Sequence, residues 1–220
     1  GDGKTSLAIN LATSLAQANR RVLLLDICAR RPSVEKTLGI DRGPGLGEIF
    51  ANKIALQEAV RSTPIDNLYV MGPGFLSNEV IGKLASREMV EFLEKAEESF
   101  EHVIIDTPPA LLMADAKLLA PVVDGVIMVV GAEVSSLGMV RRALSELQQI
   151  GSNVIGVVLN RAKHVAGGYM RDNLEKFYNY NRETADTTPA LDQPSAVITP
   201  ASIDGEVLPT MILIEDSGIR

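Results

Sequence analysis

Gly1-Asp2-Gly3-Lys4-Thr5-Ser6 opens the chain and decides its fold. Gly3-Lys4-Thr5 matches the end of G-x-x-x-x-G-K-[ST], the phosphate-binding loop, and the first glycine of that pattern falls upstream of Gly1. The residue types suit the chemistry. Gly1 and Gly3 let the backbone approach a phosphate and adopt dihedrals that a side chain would block. Their N–H groups, with those opening the next helix, form a concave anion site. Lys4 places a point charge beside the β- and γ-phosphates, and the Thr5 hydroxyl is a Mg²⁺ ligand. A glycine-rich turn capping an ordinary helix would use the same six residues, so the downstream sequence must decide between the two.

Downstream, helices alternate with apolar strands. Leu7, Leu11 and Leu15 recur every four positions beside Ala8, Ala12 and Ala16, which predicts a helix over 5–18. RVLLLDI (21–27) reads as a buried parallel strand with Asp26 at its carboxyl end, where open α/β sheets place ligands. Asp26 is then either a strand-end cap or a ligand of Mg²⁺ or water. Arg30-Arg31 is either a solvated basic turn or a phosphate-side or subunit contact. Residues 39–53 are glycine-punctuated and read as a loop leading to a short helix. NLYVM (67–71) is a strand before a Gly-Pro-Gly turn, and Met89, Leu93, Ala96 and Phe100 share one face of a helix over 87–100. HVIID (102–106), followed by Thr107-Pro108-Pro109, is a second apolar run closed by an acid, the Walker B form in which Asp106 meets Mg²⁺. Asp115 reads best as an ordinary helix-start acid. GVIMVVG (125–131), a helix over 135–150 carrying Leu137, Val140, Leu144 and Leu147, and NVIGVVLN (153–160) complete the pattern. This spacing predicts an α/β fold, a doubly wound and mostly parallel sheet of the P-loop NTPase type. The strand that feeds the loop is missing from the start of the chain.

Composition sets bounds. The 220 residues suit one α/β domain plus a tail, and 46% hydrophobic residues support a sizeable core. A net charge of −7 argues against a nucleic-acid surface. The single cysteine, Cys28, excludes an internal disulfide framework and fits a reducing cytoplasm. No run of 18 apolar residues would span a membrane.

The domain reading is a nucleotide-binding domain over 1–163, a tyrosine-containing segment over 164–182 and a tail over 183–220. Leu174, Phe177 and Tyr178 can share a helical face. Residues 183–210, rich in Thr, Pro, Ala, Ser and Asp, read as flexible or loosely packed. Met211–Ile214 is a candidate edge strand or docking segment.

Three motifs together carry a family. They are Gly1-Asp2-Gly3-Lys4-Thr5, Leu23-Leu24-Leu25-Asp26 through Arg30-Arg31-Pro32, and Val103-Ile104-Ile105-Asp106-Thr107-Pro108-Pro109. With Gly156-Val157-Val158-Leu159-Asn160-Arg161 they make residues 1 to about 180 resemble the bacterial tyrosine kinases of capsule and exopolysaccharide synthesis. Those kinases belong to the MinD/ParA-like group of P-loop ATPases. The resemblance implies ATP and Mg²⁺ as cofactors. Gly1, Asp2, Gly3, Lys4, Thr5 and Ser6 would hold the phosphates, and Thr5, Asp26 and Asp106 would surround Mg²⁺. Lys4, Asp26 and Asp106 would be catalytic, with Asp26 the candidate base for a tyrosine hydroxyl. Asn160, with Arg161, would contact the nucleotide on the adenine side. Tyr169, Tyr178 and Tyr180 would be phosphoacceptors, phosphorylated on a neighbouring copy in a homo-oligomer. The implied partner is the cytoplasmic segment of a membrane polysaccharide co-polymerase, which would place the protein at the inner face of the cell membrane. An ATPase switch without kinase activity, or a nucleotide-binding adaptor, would use the same motifs. One departure stands out: the family's second motif carries another acid two residues after the first, and Cys28 occupies that position. A neutral thiol is a poor ligand for a hard cation.

Overall fold

The computed structural model describes residues 3–75, 77, 81–110, 113–132, 135–161 and 210–215. Its frame is a seven-stranded sheet with helices on both faces. In chain order the elements are α1 (Lys4–Gln17), β1 (Val22–Asp26), α2 (Val34–Thr37), α3 (Leu46–Phe50), α4 (Leu56–Ala59), β2 (Arg61–Ser62), β3 (Leu68–Met71), α5 (Arg87–Glu97), β4 (His102–Asp106), α6 (Asp115–Leu119), β5 (Gly125–Gly131), α7 (Leu137–Gln149), β6 (Val154–Asn160) and β7 (Thr210–Glu215). The strand order is β2-β3-β1-β4-β7-β5-β6. Every observed pairing is parallel except that of the short edge strand β2 with β3.

The two-residue strand period sorts side chains onto the two faces. Val22 and Leu24 of β1 join Ile104 of β4, Val129 of β5 and the buried stripe of α1 in one core. Leu23, Leu25, Val103, Ile105, Val126, Met128 and Val130 join α3, α5 and α7 in the other. These strands are apolar on consecutive residues because each face is covered.

The helices follow the sequence pattern with instructive differences. On α1 the fully buried positions are the small residues Ala8, Ala12 and Ala16 with Ile9 and Leu15, whereas Leu7 and Leu11 are only partly buried. Small side chains let the helix axis lie close to the sheet. On α5, Met89, Leu93, Ala96 and Phe100, the last just past the helix, are all buried as the periodicity requires. On α7, Leu147 is buried, but Leu137 is 65% exposed and Ala143 takes an inward position. Leu137 begins the helix, where the first turn overhangs the sheet edge.

The largest difference concerns the tail. Thr210–Glu215 is neither an edge strand nor a peripheral docking segment: β7 runs parallel between β4 and β5, in the middle of the sheet. It takes the central position that a P-loop fold gives to the strand feeding the phosphate loop. The tyrosine segment and the rest of the tail lie outside the described residues.

Candidate active site

Two acids reach the site by the same construction. Asp26 ends β1, Asp106 ends β4, and the two are direct partners in the β1–β4 register. Each lies two residues beyond a side chain of the α1-side core, Leu24 and Ile104, so the strand period points both carboxylates towards α1. Both are fully buried.

The first turn of α1 meets Asp106. Lys4 Nζ donates to Asp106 Oδ1 at 3.0 Å, and Thr5 Oγ1 donates to Asp106 Oδ2 at 2.7 Å. Lys4 is 6% exposed, so this ion pair is shielded from solvent. Burial pushes the Asp106 carboxyl above the usual carboxylate range, with the negative charge of Asp26 adding to it. Lys4 and Thr5 pull the other way. Gly3, ahead of the helix, has φ +89°, in the left-handed region that favours glycine. A Cβ there would lie 2.1 Å from Asn160 Nδ2. Asn160, at the carboxyl end of β6, therefore stands against the phosphate-loop backbone. Its Oδ1 accepts the Arg161 N–H at 2.9 Å. Arg161 and Ser6 are exposed.

Asp26 organises the loop after β1. Its Oδ1 accepts the Cys28 N–H at 2.8 Å, and its Oδ2 accepts the Ser33 and Val34 N–H groups at 3.0 and 3.2 Å. Strand-end cap and ligand are thus compatible roles, since a carboxylate offers about four lone-pair sites and these bonds use three. Cys28 Sγ lies 4.0 Å from Asp106 Oδ2. Burial, then the charges of Asp106 and Asp26, push its thiol pKa far up, so it is a neutral thiol. One ligand atom each from Asp26, Cys28 and Asp106 lies within 4.8 Å of the others. Two carboxylates and the Thr5 hydroxyl are oxygen donors suited to Mg²⁺, so the residues fit that ion, with Cys28 as the weak member.

Sequence reasoning passed over the outer wall. Glu35 is buried and ion-paired with Arg61. Glu48 accepts the N–H groups of Gly45 and Phe75 at 2.8 and 3.1 Å. With Ala29, Pro32 and Arg42 these acids line a cleft of 440 Å³ beside the Asp26 loop. No spacing rule links these positions; tertiary folding brings them together. Arg30 is exposed and its charge favours the ionised form of Asp115, which burial otherwise pushes up in pKa. Gly1, Asp2, Tyr169, Tyr178 and Tyr180 lie outside the described residues.

A helix starting in Gly-Lys-Thr over a parallel sheet, with two acids at aligned strand ends, defines a P-loop nucleotide-binding domain. The AAA domain family matches residues 1–157. The tyrosine-protein kinase YwqD of Bacillus subtilis is 31% identical over 172 residues, covering 77% of this chain and 73% of that protein. The tyrosine-protein kinase ptk of Acinetobacter johnsonii is 31% identical over 167 residues, 76% of this chain but only 23% of that protein. Among solved structures, the VpsO kinase domain superposes with a TM-score of 0.69 at 32% identity, covering 74% of this chain and 80% of that one. The Pyrococcus horikoshii MinD complexed with Mg-ADP gives 0.60 at 26%, covering 74% and 66%. The chain belongs to the bacterial tyrosine-protein kinases, a branch of the MinD-like P-loop ATPases.

Proposed function

We propose that this chain is an ATP-dependent protein-tyrosine autokinase acting in capsule or exopolysaccharide synthesis. The observation that carries the proposal is the buried cluster of Lys4, Thr5 and Asp106, with Asp26 aligned beside it. ATP·Mg²⁺, when bound, supplies the transferable phosphoryl group and neutralises its charge.

The chain's own residues do the rest. Lys4 turns from Asp106 to the β- and γ-phosphate oxygens. Thr5 and Asp106 hold the cation side, and Gly3 admits the phosphates against bare backbone. Asn160 borders the nucleotide on the β6 side. The acceptor tyrosine Oη attacks the γ-phosphorus as the bond to the β-phosphate bridging oxygen breaks, and ADP leaves. The phenolic proton passes to the free lone pair of Asp26 Oδ1. Most of the rate arises from positioning and electrostatics, as is general for phosphoryl transfer. The acceptors are Tyr169, Tyr178 and Tyr180, presented by a neighbouring copy. A polysaccharide co-polymerase at the membrane is the activating partner. Among the described residues no helix is long and apolar enough to cross a membrane.

Incubation with ATP·Mg²⁺ and the partner's cytoplasmic segment, followed by mass spectrometry, tests this. Phosphotyrosine on the tail that disappears in Lys4→Ala supports the kinase. ATP consumption with no phosphotyrosine rejects it and favours an ATPase switch. Cys28, in the place of a metal-binding acid, is the observation that keeps this second reading in view. For a switch, phosphate release stays unchanged when all three tail tyrosines become Phe.

A further inference from the structure

The strand that precedes α1 in the fold comes last in the chain. A phosphate-binding loop is built as strand, loop, helix, with the strand parallel to its neighbours and ending where the helix begins. Here β7 holds that place. It pairs in parallel with β4 on one side and β5 on the other, and Leu213 is the register partner of Asp106. β7 ends two residues further on, at Glu215, on the carboxyl side of the sheet. The start of α1 stands at the same spot, since Lys4 and Thr5 both bond Asp106. Along its length α1 packs over β7, β4 and β1, as the helix of a β7–α1–β1 crossover would.

The residues after β7 carry what the opening motif lacks. They are Asp216-Ser217-Gly218-Ile219-Arg220. Read in the spatial order β7 then α1, the sequence runs Gly218-Ile219-Arg220 and on into Gly1-Asp2-Gly3-Lys4-Thr5. Gly218 then falls five positions ahead of Gly3, which completes G-x-x-x-x-G-K-T. Glycine is 18 of 220 residues, so chance alone would put one there roughly one time in twelve. The motif spacing would be weak by itself. The placement of β7 is a separate observation, made from backbone pairing, and it selects the same junction. Met211-Ile212-Leu213-Ile214 also has the unbroken apolar character of a strand covered on both faces.

We propose that the phosphate-binding loop of this protein is assembled from both ends of the chain. Residues 218–220, delivered by β7, supply its first half, and residues 1–5, leading into α1, supply its second. The proposal rests on the nucleotide-site reading above and adds Gly218 to the binding residues. The five residues after Glu215 reach at most about 17 Å when extended, ample to cross from the end of β7 to the start of α1. Nucleotide binding then clamps the two ends together, and a peptide bond between them costs the fold nothing.

The test joins Arg220 to Gly1 by backbone cyclisation of the 220-residue chain. Parent, cyclised chain, Gly218→Val in both forms, and Lys4→Ala are compared by thermal midpoint without nucleotide and by titration with a fluorescent N-methylanthraniloyl ATP and Mg²⁺. The expected result is a raised midpoint on cyclisation, with ATP binding kept or tightened. Gly218→Val weakens binding by more than about tenfold in both forms while the midpoint holds. A cyclised chain with a lowered midpoint overturns the proposal. So does Gly218→Val binding within about twofold of the parent while Lys4→Ala loses binding, and that outcome leaves the nucleotide reading standing. No ATP binding in any form, cyclised included, removes the nucleotide reading and the shared loop with it.

Discussion

At the residue scale, Gly3 and Cys28 are the positions where single atoms decide the outcome. Gly3 combines a left-handed backbone with an Asn160 amide where a Cβ would sit. Gly3→Ala is expected to cost about 1–2 kcal/mol from the backbone alone and to weaken ATP binding further as Asn160 is displaced. Urea unfolding and nucleotide titration separate the two effects. Cys28 faces Asp106 among groups that gather around a cation. Cys28→Asp adds a third carboxylate to a buried pair. Without Mg²⁺ the variant should melt below the parent, because like charges cannot disperse there. With Mg²⁺ the order should reverse, and Mg²⁺-dependent ATP binding should tighten by roughly three- to tenfold. Melting curves with and without the ion read this directly. Asp26 and Asp106 were legible as strand-end acids from apolar runs alone. Their pairing in register was not, because nothing in one strand's sequence names its neighbour.

Elements obey periodicity, and their departures from it mark how close they pack. The buried stripe of α1 is the alanine stripe, at 0–2% exposure for Ala8, Ala12 and Ala16. Ala12→Leu forces a larger side chain into a closed helix–sheet contact and should destabilise by about 1–3 kcal/mol, read as a lowered urea midpoint. On the other face, Glu146 of α7 accepts from Lys117 of α6 at 2.5 Å and from Arg142 one turn earlier at 2.8 Å. The Lys117 hydrogen bond, then that of Arg142, holds the Glu146 carboxyl below the usual range. A depressed folded-state pKa gives stability that is present above the unfolded value and is lost as pH falls through the folded one. Glu146→Gln should therefore lower stability at pH 7 by roughly 0.5–1 kcal/mol, and the gap to the parent should close below about pH 4. Chemical denaturation across about pH 3–7 measures it. The helix face of α5 could be read in advance because Met89, Leu93, Ala96 and Phe100 keep a helical period. The short α2 and α4 escaped notice, since four residues carry no period.

For the whole molecule, the sheet is held across its middle by β7. Among the described residues β4 and β5 each pair with β7 and not with one another. The half that carries Asp26 and Asp106 is thus joined to the half that ends in Asn160 through one strand. Ile212→Pro removes a ladder donor between Ile105 and Val126 and should cost about 3 kcal/mol or more. ATP binding should fall with it, because Asn160 no longer stands beside Gly3; unfolding and titration together show whether the two losses coincide. The fold class, the two acid-ended strands, the phosphate-loop helix and the family could all be read from the residues alone, because each is written in local apolar period and fixed spacing. Three features emerged only once the chain was folded: Asp26 and Asp106 are register partners, Glu35 meets Arg61, and the last strand lies in the centre of the sheet. Those facts depend on which segments meet across long stretches of chain, and no local pattern encodes them.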